Sequence, residues 1–272
     1  MKDRVVRLLE ILSANSRLKI KLLAEMLDVS FVTVRRDIEV LEKRGIVCRL
    51  HGYVSLDGAN NTGKRIAVNY SIKRRIAKAA AQIVEESELV MLESGSCCAI
   101  LAEELALANK NINIVTNSVF IANYISKLQN IKITLLGGHF QPESEVLVGP
   151  LTKKCAEQIY PQKIFLGTDG FIPEYGFTGR DQLRAETAAE LTNRVKEVFV
   201  LTEAAKFNNR GSYNLIQFDK LAGVFTDDSI PKEAEAVLVK NNVQIHKVPA
   251  VEEKLKWNQF SGQPPFLYLY KH

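Results

Sequence analysis

The sequence predicts an α/β protein in two parts. A small winged helix-turn-helix unit at the front is joined to a larger α/β domain in which strands and helices alternate around a largely parallel sheet. Three observations carry this reading. Residues Ile20 to Gly45, IKLLAEMLDVSFVTVRRDIEVLEKRG, have the pattern of two helices around a tight turn. From Leu89 onward, short apolar β-favouring runs alternate with helical patterns. Charge is also unevenly placed: up to Arg75 there are 16 Lys/Arg against 8 Asp/Glu, a net of +8, which leaves −3 for the rest of a chain totalling +5. A basic excess at the front marks where a polyanion would be held.

Taken in order, Val5, Leu8, Leu9 and Leu12 make an amphipathic first helix that covers the back of the two-helix unit. Leu22, Leu23, Met26 and Leu27 supply the stripe of the next helix, and Asp28-Val29-Ser30 is a connection of helix-turn-helix length, with Asp28 where a glycine is often found. Ser30 is the N-cap of the following helix; Thr33 at its third position, in place of Glu or Gln, means there is no capping box. Val34, Ile38 and Leu41 turn one face inward, which leaves Thr33, Arg35 and Arg36 on the other and Phe31 at its start. Arg bonds a guanine edge bidentately, and Thr bonds a base or touches a thymine methyl; both stand in the half of a recognition helix that enters the major groove. After Gly45, the runs IVCRL and YVSL flank His51-Gly52, a hairpin signal and so a candidate wing with Arg49 and His51 at or near its tip. Basic helix residues are commonly just a solvated face, and helix-turn-helix shapes also dock proteins. Turn, cap, Thr, tandem Arg and wing in register favour double-stranded DNA, with Ser30, Phe31, Thr33, Arg35, Arg36, Arg49 and His51 as the candidate contacts.

The first domain is expected over 1–56, and the polar Gly/Asn-rich stretch DGANNTGK, 57–64, reads as a short linker that keeps the two parts mechanically coupled. Ile72, Ile76, Ala79, Ala80 and Ile83 mark a helix; Lys73, Arg74 and Arg75 either touch DNA backbone or, the favoured reading, solvate it. Over 65–250, the strand candidates LVML, INIV, IKITLL, KIFLG, EVFVL, LAGVF and VQIHKV are followed by ESGS, TNS, GG, TDG, TEAAK and TDD in the loops. In an open parallel sheet the carboxyl ends share one edge, so these small and hydroxyl-bearing loops converge on the crevice where ligands bind. Ser94-Gly95-Ser96 leads straight into a helix, where free N–H groups and two hydroxyls suit a phosphate. The tail 251–272, with Trp257 and FLYLY, fits neither domain.

The chain of 272 residues is 46% apolar, ample for packed cores, and has no run of about 18 apolar residues, so no membrane span is expected. MKDRVVRLLEIL alternates charge with hydrophobes and is not a signal peptide, which points to the cytoplasm. Cys48, Cys97, Cys98 and Cys155 lack C-x-x-C spacing and the four histidines do not cluster, so neither a disulfide framework nor a metal or other cofactor is indicated.

The stretch VSFVTVRRDIEVLEKRGIVCRLHG resembles the DNA-binding signature of the DeoR family of bacterial transcriptional regulators. Tyr53 replaces the second glycine that the family usually shows after His51-Gly52. Further on, MLESGSC, IVTNS, LLGG, VGPL, GTDGF, GFTGRD and LTEAAKF resemble that family's sensor domain, which is similar in fold to ribose-5-phosphate isomerase. The likeness covers about residues 70 to 250. Glu93 and Glu203 stand where the family has aspartates, and Ser96 and Cys97 where it has threonines. What the resemblance implies is a repressor released by a small metabolite, commonly a phosphorylated sugar. It also implies Ser94, Gly95, Ser96, Thr116, Gly138, Asp169, Thr178 and Lys206 as effector contacts. Arg180, in GFTGRD, either clamps a phosphate or pairs with Asp181. The competing class is an isomerase-like enzyme moving a proton with Lys206, Asp169 and Glu186, but an isomerase has no use for an Arg-bearing helix-turn-helix. One recognition helix reads only a few base pairs, so a homo-oligomer engaging repeated half-sites is expected.

Overall fold

The computed structural model describes residues 2–15, 17–56, 61–108 and 110–250. The front unit runs α1 (Lys2–Asn15), β1 (Arg17–Lys19), α2 (Ile20–Leu27), α3 (Phe31–Lys43), β2 (Cys48–Leu50) and β3 (Tyr53–Ser55). Leu8, Leu9 and Leu12 of α1 are fully buried, as the periodicity requires. In α2 the buried set is Ile20, Leu23, Ala24 and Leu27. Leu22, expected in that stripe, is 44% exposed, because a face at i, i+3, i+4 and i+7 from Ile20 puts position 22 on the opposite side. Asp28 ends α2 in the left-handed region (φ 54°), the conformation that makes glycine common there, and its N–H closes on Glu25 O.

The Ser30 hydroxyl accepts from Thr33 N at 3.2 Å and caps α3. His51 and Gly52 both have positive φ (47° and 82°), as a two-residue primed turn demands, so β2 and β3 form the wing. Strand β1 was not legible in the sequence. Its three residues are too few for alternation, yet it pairs antiparallel with β3 and completes a three-stranded sheet in the order β1-β3-β2.

Helix α4 (Asn61–Ala67) starts inside the expected linker, so the second half of 57–64 is helical. The tail 251–272 lies outside the described residues. After α5 (Tyr70–Gln82) the alternating part begins with β4 (Leu89–Leu92), α6 (Ser96–Leu107), β5 (Ile112–Thr116), α7 (Val119–Ile125) and β6 (Ile131–Leu135). A hairpin of β7 (His139–Gln141) and β8 (Val146–Val148) follows, then α8 (Pro150–Ala156) and β9 (Lys163–Leu166). Next are β10 (Gly170–Ile172), β11 (Gly176–Gly179), α9 (Gln182–Thr192), β12 (Glu197–Leu201) and β13 (Tyr213–Ile216). The described chain closes with β14 (Gly223–Asp227), α10 (Lys232–Lys240) and β15 (Gln244–Val248).

Seven strands form one parallel sheet in the order β15-β14-β12-β9-β4-β5-β6. Alternate residues of each strand serve different cores, as the pleat dictates. Val90, Leu92, Ile112, Ile114, Phe165, Phe199 and Leu201 face α5, α6 and α7 in a core that continues without a break into α1, α2, α3 and the wing. Met91, Val115, Ile164, Leu166, Val198, Val200 and Val224 face the other way, toward α9 and α10. Two features were not expected: the β7–β8 hairpin and an antiparallel sheet of order β10-β11-β13, which stands over the carboxyl edge of the parallel sheet. Their strands are mostly three or four residues long, too short to register against the stronger β runs around them.

Candidate functional site

Two constellations emerge. On the front unit, Phe31 is 47% exposed at the start of α3, and Arg35 and Arg36 project from its outer face without an ion pair or hydrogen bond among the described residues. Unsatisfied guanidinium groups on an exposed helix start are what a groove of base edges and phosphates can take up. Thr33 Oγ1 lies 2.8 Å from Ser30 Oγ, so cap and presented hydroxyl form one unit. His51 is exposed at the wing's turn, whereas Arg49, one strand residue further back, is drawn to Glu42 at 3.2 Å. Tyr53 has a role of its own. Its ring lies 4.4 Å from the Arg17 guanidinium carbon and 5.9 Å from Lys19 Nζ, so β3 gathers two cations of β1 beside the wing.

The second constellation is a cavity at the carboxyl edge of the parallel sheet, between the loops that leave β4 and β9. These strands are neighbours, but β4 leads toward β5 and β6 while β9 leads the opposite way through β12 to β15, so their loops diverge and open a crevice. Ser94, Gly95, Ser96, Asp169, Arg180 and Lys206 all line it, together with Arg65, Glu93, Thr168, Asp181, Arg184, Thr202 and Glu203. Gly95 precedes the first turn of α6, whose unpaired N–H groups open on the cavity.

Four cations meet there: Arg65, Arg180, Arg184 and Lys206. The Nε atoms of Arg65 and Arg184 are buried without a hydrogen-bond partner among the described residues. Among the described residues Arg65 Nη2 reaches only Thr62 Oγ1, at 3.0 Å, and Arg184 Nη2 only Ser94 Oγ, at 3.4 Å. Burial lowers the Arg65 pKa, and the like charge of Arg184 lowers it further, against the pull of Asp169 and Glu93. Glu93 is entombed below, its carboxyl pushed up by burial against the opposing Arg184 charge and the Ser94 hydroxyl, which donates to it at 2.5 Å. Two arginines with orphaned donors, held together despite repulsion, make a site that an anion would relieve.

Other expected contacts sit elsewhere, each occupied structurally. Thr116 ends β5, and its hydroxyl accepts from Ser118 N at 3.0 Å. Gly138 follows β6 and packs on α8: a Cβ there would lie 1.9 Å from Thr152 Oγ1. Thr178 is buried in β11 and its hydroxyl accepts from Gly211 N at 2.8 Å. The loops after β5 and β6 are one and two strands away from the switch between β4 and β9, which is why sequence order misplaces them. Asp181 caps α9, accepting from Arg184 N at 2.8 Å, and makes no pair with Arg180; the Arg180 backbone N–H instead donates to Asp169 Oδ2 at 3.1 Å. Glu186, from the enzymatic reading, accepts from Gln182 at 2.8 Å on the exposed side of α9. Missed altogether were Arg65 and Arg184. Arg65 stands directly after the stretch that reads as a linker and Arg184 near the start of a helical pattern, and neither carries a local signal.

Residues 68–228 match the family model described as the DeoR C terminal sensor domain, and residues 4–58 match the DeoR-like helix-turn-helix domain. The chain belongs to the DeoR family. It is a DNA-binding transcriptional regulator and not an enzyme. Similar curated proteins include the HTH-type transcriptional regulator IolR of Bacillus subtilis, 26% identical over 89% of this chain and 98% of its own length. GolR of Listeria innocua is 26% identical over 85% and 92%, and the L-fucose operon activator of Haemophilus influenzae is 23% identical over 81% and 90%. A solved ribose 5-phosphate isomerase A from Methanocaldococcus jannaschii aligns over 51% of this chain and 55% of its own at 16% identity, with a TM-score of 0.36, a level of likeness that adds nothing to the assignment.

The regulator's two units are joined by more than chain. Arg44, at the end of the recognition helix, donates to Glu103 of α6 at 2.7 Å, and Tyr124 of α7 donates to the other Glu103 oxygen at 2.6 Å. The three basic residues of α5 turn out to have internal partners rather than DNA or water. Lys73 is 3% exposed and pairs with Glu203 at 3.4 Å, Arg74 pairs with Glu104 at 2.9 Å, and Arg75 bonds Pro249 O and Ala250 O. No described helix is long and apolar enough to cross a membrane.

Proposed function

We propose that this DeoR-family protein is a repressor that holds operator DNA through α3 and the wing and lets go when a phosphorylated sugar fills the cavity at the start of α6. In this reading 1–56 is the DNA-binding unit and 65–250 the sensor, with 57–64 between them. One observation carries the effector reading: Arg65, Arg180, Arg184 and Lys206 converge on a helix N-terminus, and the buried Nε atoms of Arg65 and Arg184 have no partner among the described residues. A dianionic phosphate matches both the charge and the donor geometry. The acids beside them, Glu93, Asp169 and Glu203, suit the hydroxyls of an attached sugar. Names such as L-fucose operon activator among its relatives support a sugar-linked signal. The relative named HTH-type transcriptional repressor GlcR supports repression.

The DNA contacts are Ser30, Phe31, Thr33, Arg35, Arg36 and His51, with Arg49 positioned by Glu42. The working form is a cytoplasmic homo-oligomer, because discrimination of ~4–10 kcal/mol over non-specific DNA needs at least two half-sites. Thermal shift of the full-length protein against pentose and hexose phosphates, each beside its unphosphorylated sugar, tests the effector class. A true effector at 100 times its Kd adds about 2.7 kcal/mol of stability. Stabilisation by the free sugars, or by none of the phosphates, refutes it. Sedimentation showing monomer alone, together with footprints lacking a repeated half-site, refutes the oligomer.

A further inference from the structure

We propose that Arg65, carried on the helix that joins the two domains, binds the anionic group of the effector, and that this contact makes the joining helix the element through which cavity occupancy reaches the DNA-binding unit. The inference rests on the anion-site reading above and adds its route.

Helix α4 is set between the two units. It packs on α1 of the front unit on one side and on α6 of the sensor on the other, with Ile66 and Ala67 fully buried. From this position Arg65 reaches into the cavity, where its Nε is buried and unpartnered and its one hydrogen bond, from Nη2, stays within α4 on Thr62. The same C-terminal turn of α4 is also fastened to the cavity wall through its backbone. Buried Lys73 donates to the carbonyls of Arg65 and Val68, capping the last turn, while its charge pairs with Glu203 at 3.4 Å; Asn69, next along the chain, donates to Glu203 at 2.8 Å. Glu203 lines the cavity. Both the side chain of α4 and its C-terminal cap therefore answer to what lies in the pocket.

Arg65 and Arg184 repel one another across the cavity. An anion between them removes that repulsion and supplies the missing acceptors, so occupancy pulls Arg65, and with it α4, toward the sensor. A helix of under two turns held through its last turn, by the Arg65 side chain and by the Lys73 cap, moves as a body, and its partner on the far side is α1, which lies against the recognition helix through Arg4 and Asp37. The state of the pocket is thus passed to the helix that backs α3 through a rigid, packed path.

The test uses the full-length protein with inorganic phosphate as the probe. Amide hydrogen exchange is followed in peptides covering Ser94–Cys97, Asn61–Ala67 and Lys2–Asn15, and phosphate affinity is measured for wild type, Arg65→Gln, Arg65→Lys and Arg184→Gln. Saturable phosphate binding that slows exchange at least threefold in all three segments of wild type is expected. Arg65→Gln then binds at least fivefold more weakly and protects Ser94–Cys97 but neither α4 nor α1, while Arg65→Lys recovers part of both. If phosphate binds wild type and protects Ser94–Cys97 while α4 exchanges as before, and Arg65→Gln binds equally well, the route through α4 is wrong and the anion site stands. If wild type shows no saturable binding, both fall. The wild-type exchange pattern decides the point even if a variant misfolds.

Discussion

The contact between Arg44 and Glu103 is the most exposed to measurement of the links between the two units. Arg44 ends the recognition helix and Glu103 lies on α6, the helix whose first turn opens on the cavity, so the pair ties the reading head to the sensor. The side chains are 26% and 15% exposed. Burial works against the Arg44 charge, but Glu103 and Tyr124 more than offset it and hold its pKa up. Glu103→Ala leaves a half-buried guanidinium and the buried Tyr124 hydroxyl without their acceptor, a loss of about 2–3 kcal/mol, discounted from the figure for a fully buried pair by the residual exposure. Arg44→Ala also removes the cation over the Tyr124 ring, 5.1 Å from its centre. A double-mutant cycle by guanidinium unfolding, followed by circular dichroism, is expected to give a coupling of about 1.5 kcal/mol. Effector binding should persist in Glu103→Ala, whereas its effect on operator affinity, ~1–3 kcal/mol in an allosteric regulator, should shrink. Additivity within ~0.5 kcal/mol would show that the pair carries no coupling and refute the reasoning.

Four further outcomes are expected. Arg36→Ala costs ~1–3 kcal/mol on the preferred operator and relaxes its sequence preference; equal titration curves for both proteins on cognate and scrambled duplexes would remove α3 from the groove. Arg4 is no neutral control beside it, because it holds Asp37 of α3. Ser96→Asp puts a carboxylate in the cavity at the first turn of α6, so it abolishes effector response but not folding, Asp being favourable at a helix start; release of DNA at the wild-type effector concentration would count against the site. Gly138→Ala forces a Cβ against Thr152 and the Val148 carbonyl at φ 155° and should cost about 2–4 kcal/mol of stability with effector affinity unchanged; a lost ligand response in a stable variant would restore Gly138 to the site.

The remaining outcome concerns pH. Burial raises the Glu93 pKa above its ordinary 4.5, so the folded state holds that proton more tightly than the unfolded chain. The contribution of Glu93 is therefore fully present below that ordinary value and is lost as pH rises through the higher folded one. Glu93→Gln should melt higher than wild type at neutral pH, with the gap closing on acidification; parallel melting curves across the range would contradict it.

Much of this regulator is local physics and can be read along the chain. The recognition helix announces itself because cap, inward stripe and outward cations all lie within fourteen residues, Ser30 to Lys43, and need no partner to be recognised. The same holds for the wing's turn and for the parallel strands, whose apolar runs reflect burial on both faces. Ser94-Gly95-Ser96 was legible because a small-residue loop between a strand and a helix is itself a contiguous signal. The short strands β1, β10, β11 and β13 were not, because three or four residues hold no period that outweighs their neighbours.

The cavity's membership was decided in three dimensions. Strand order follows from which edges pair, not from which runs come next, so the loop after β4 meets those after β9 and β12 while Thr116 and Gly138 fall to other work. Arg65 and Arg184 entered for the same reason: a guanidinium on a helix is ordinary in sequence and becomes a candidate ligand group only when packing buries it opposite another and leaves the Nε of each without an acceptor among the described residues. Sequence by itself determined the helix-turn-helix, with its outward basic face, and the kind of sensor domain behind it. Tertiary packing alone brought the joining helix to the cavity, because burying Ile66 and Ala67 between the two units fixes where Arg65 must point.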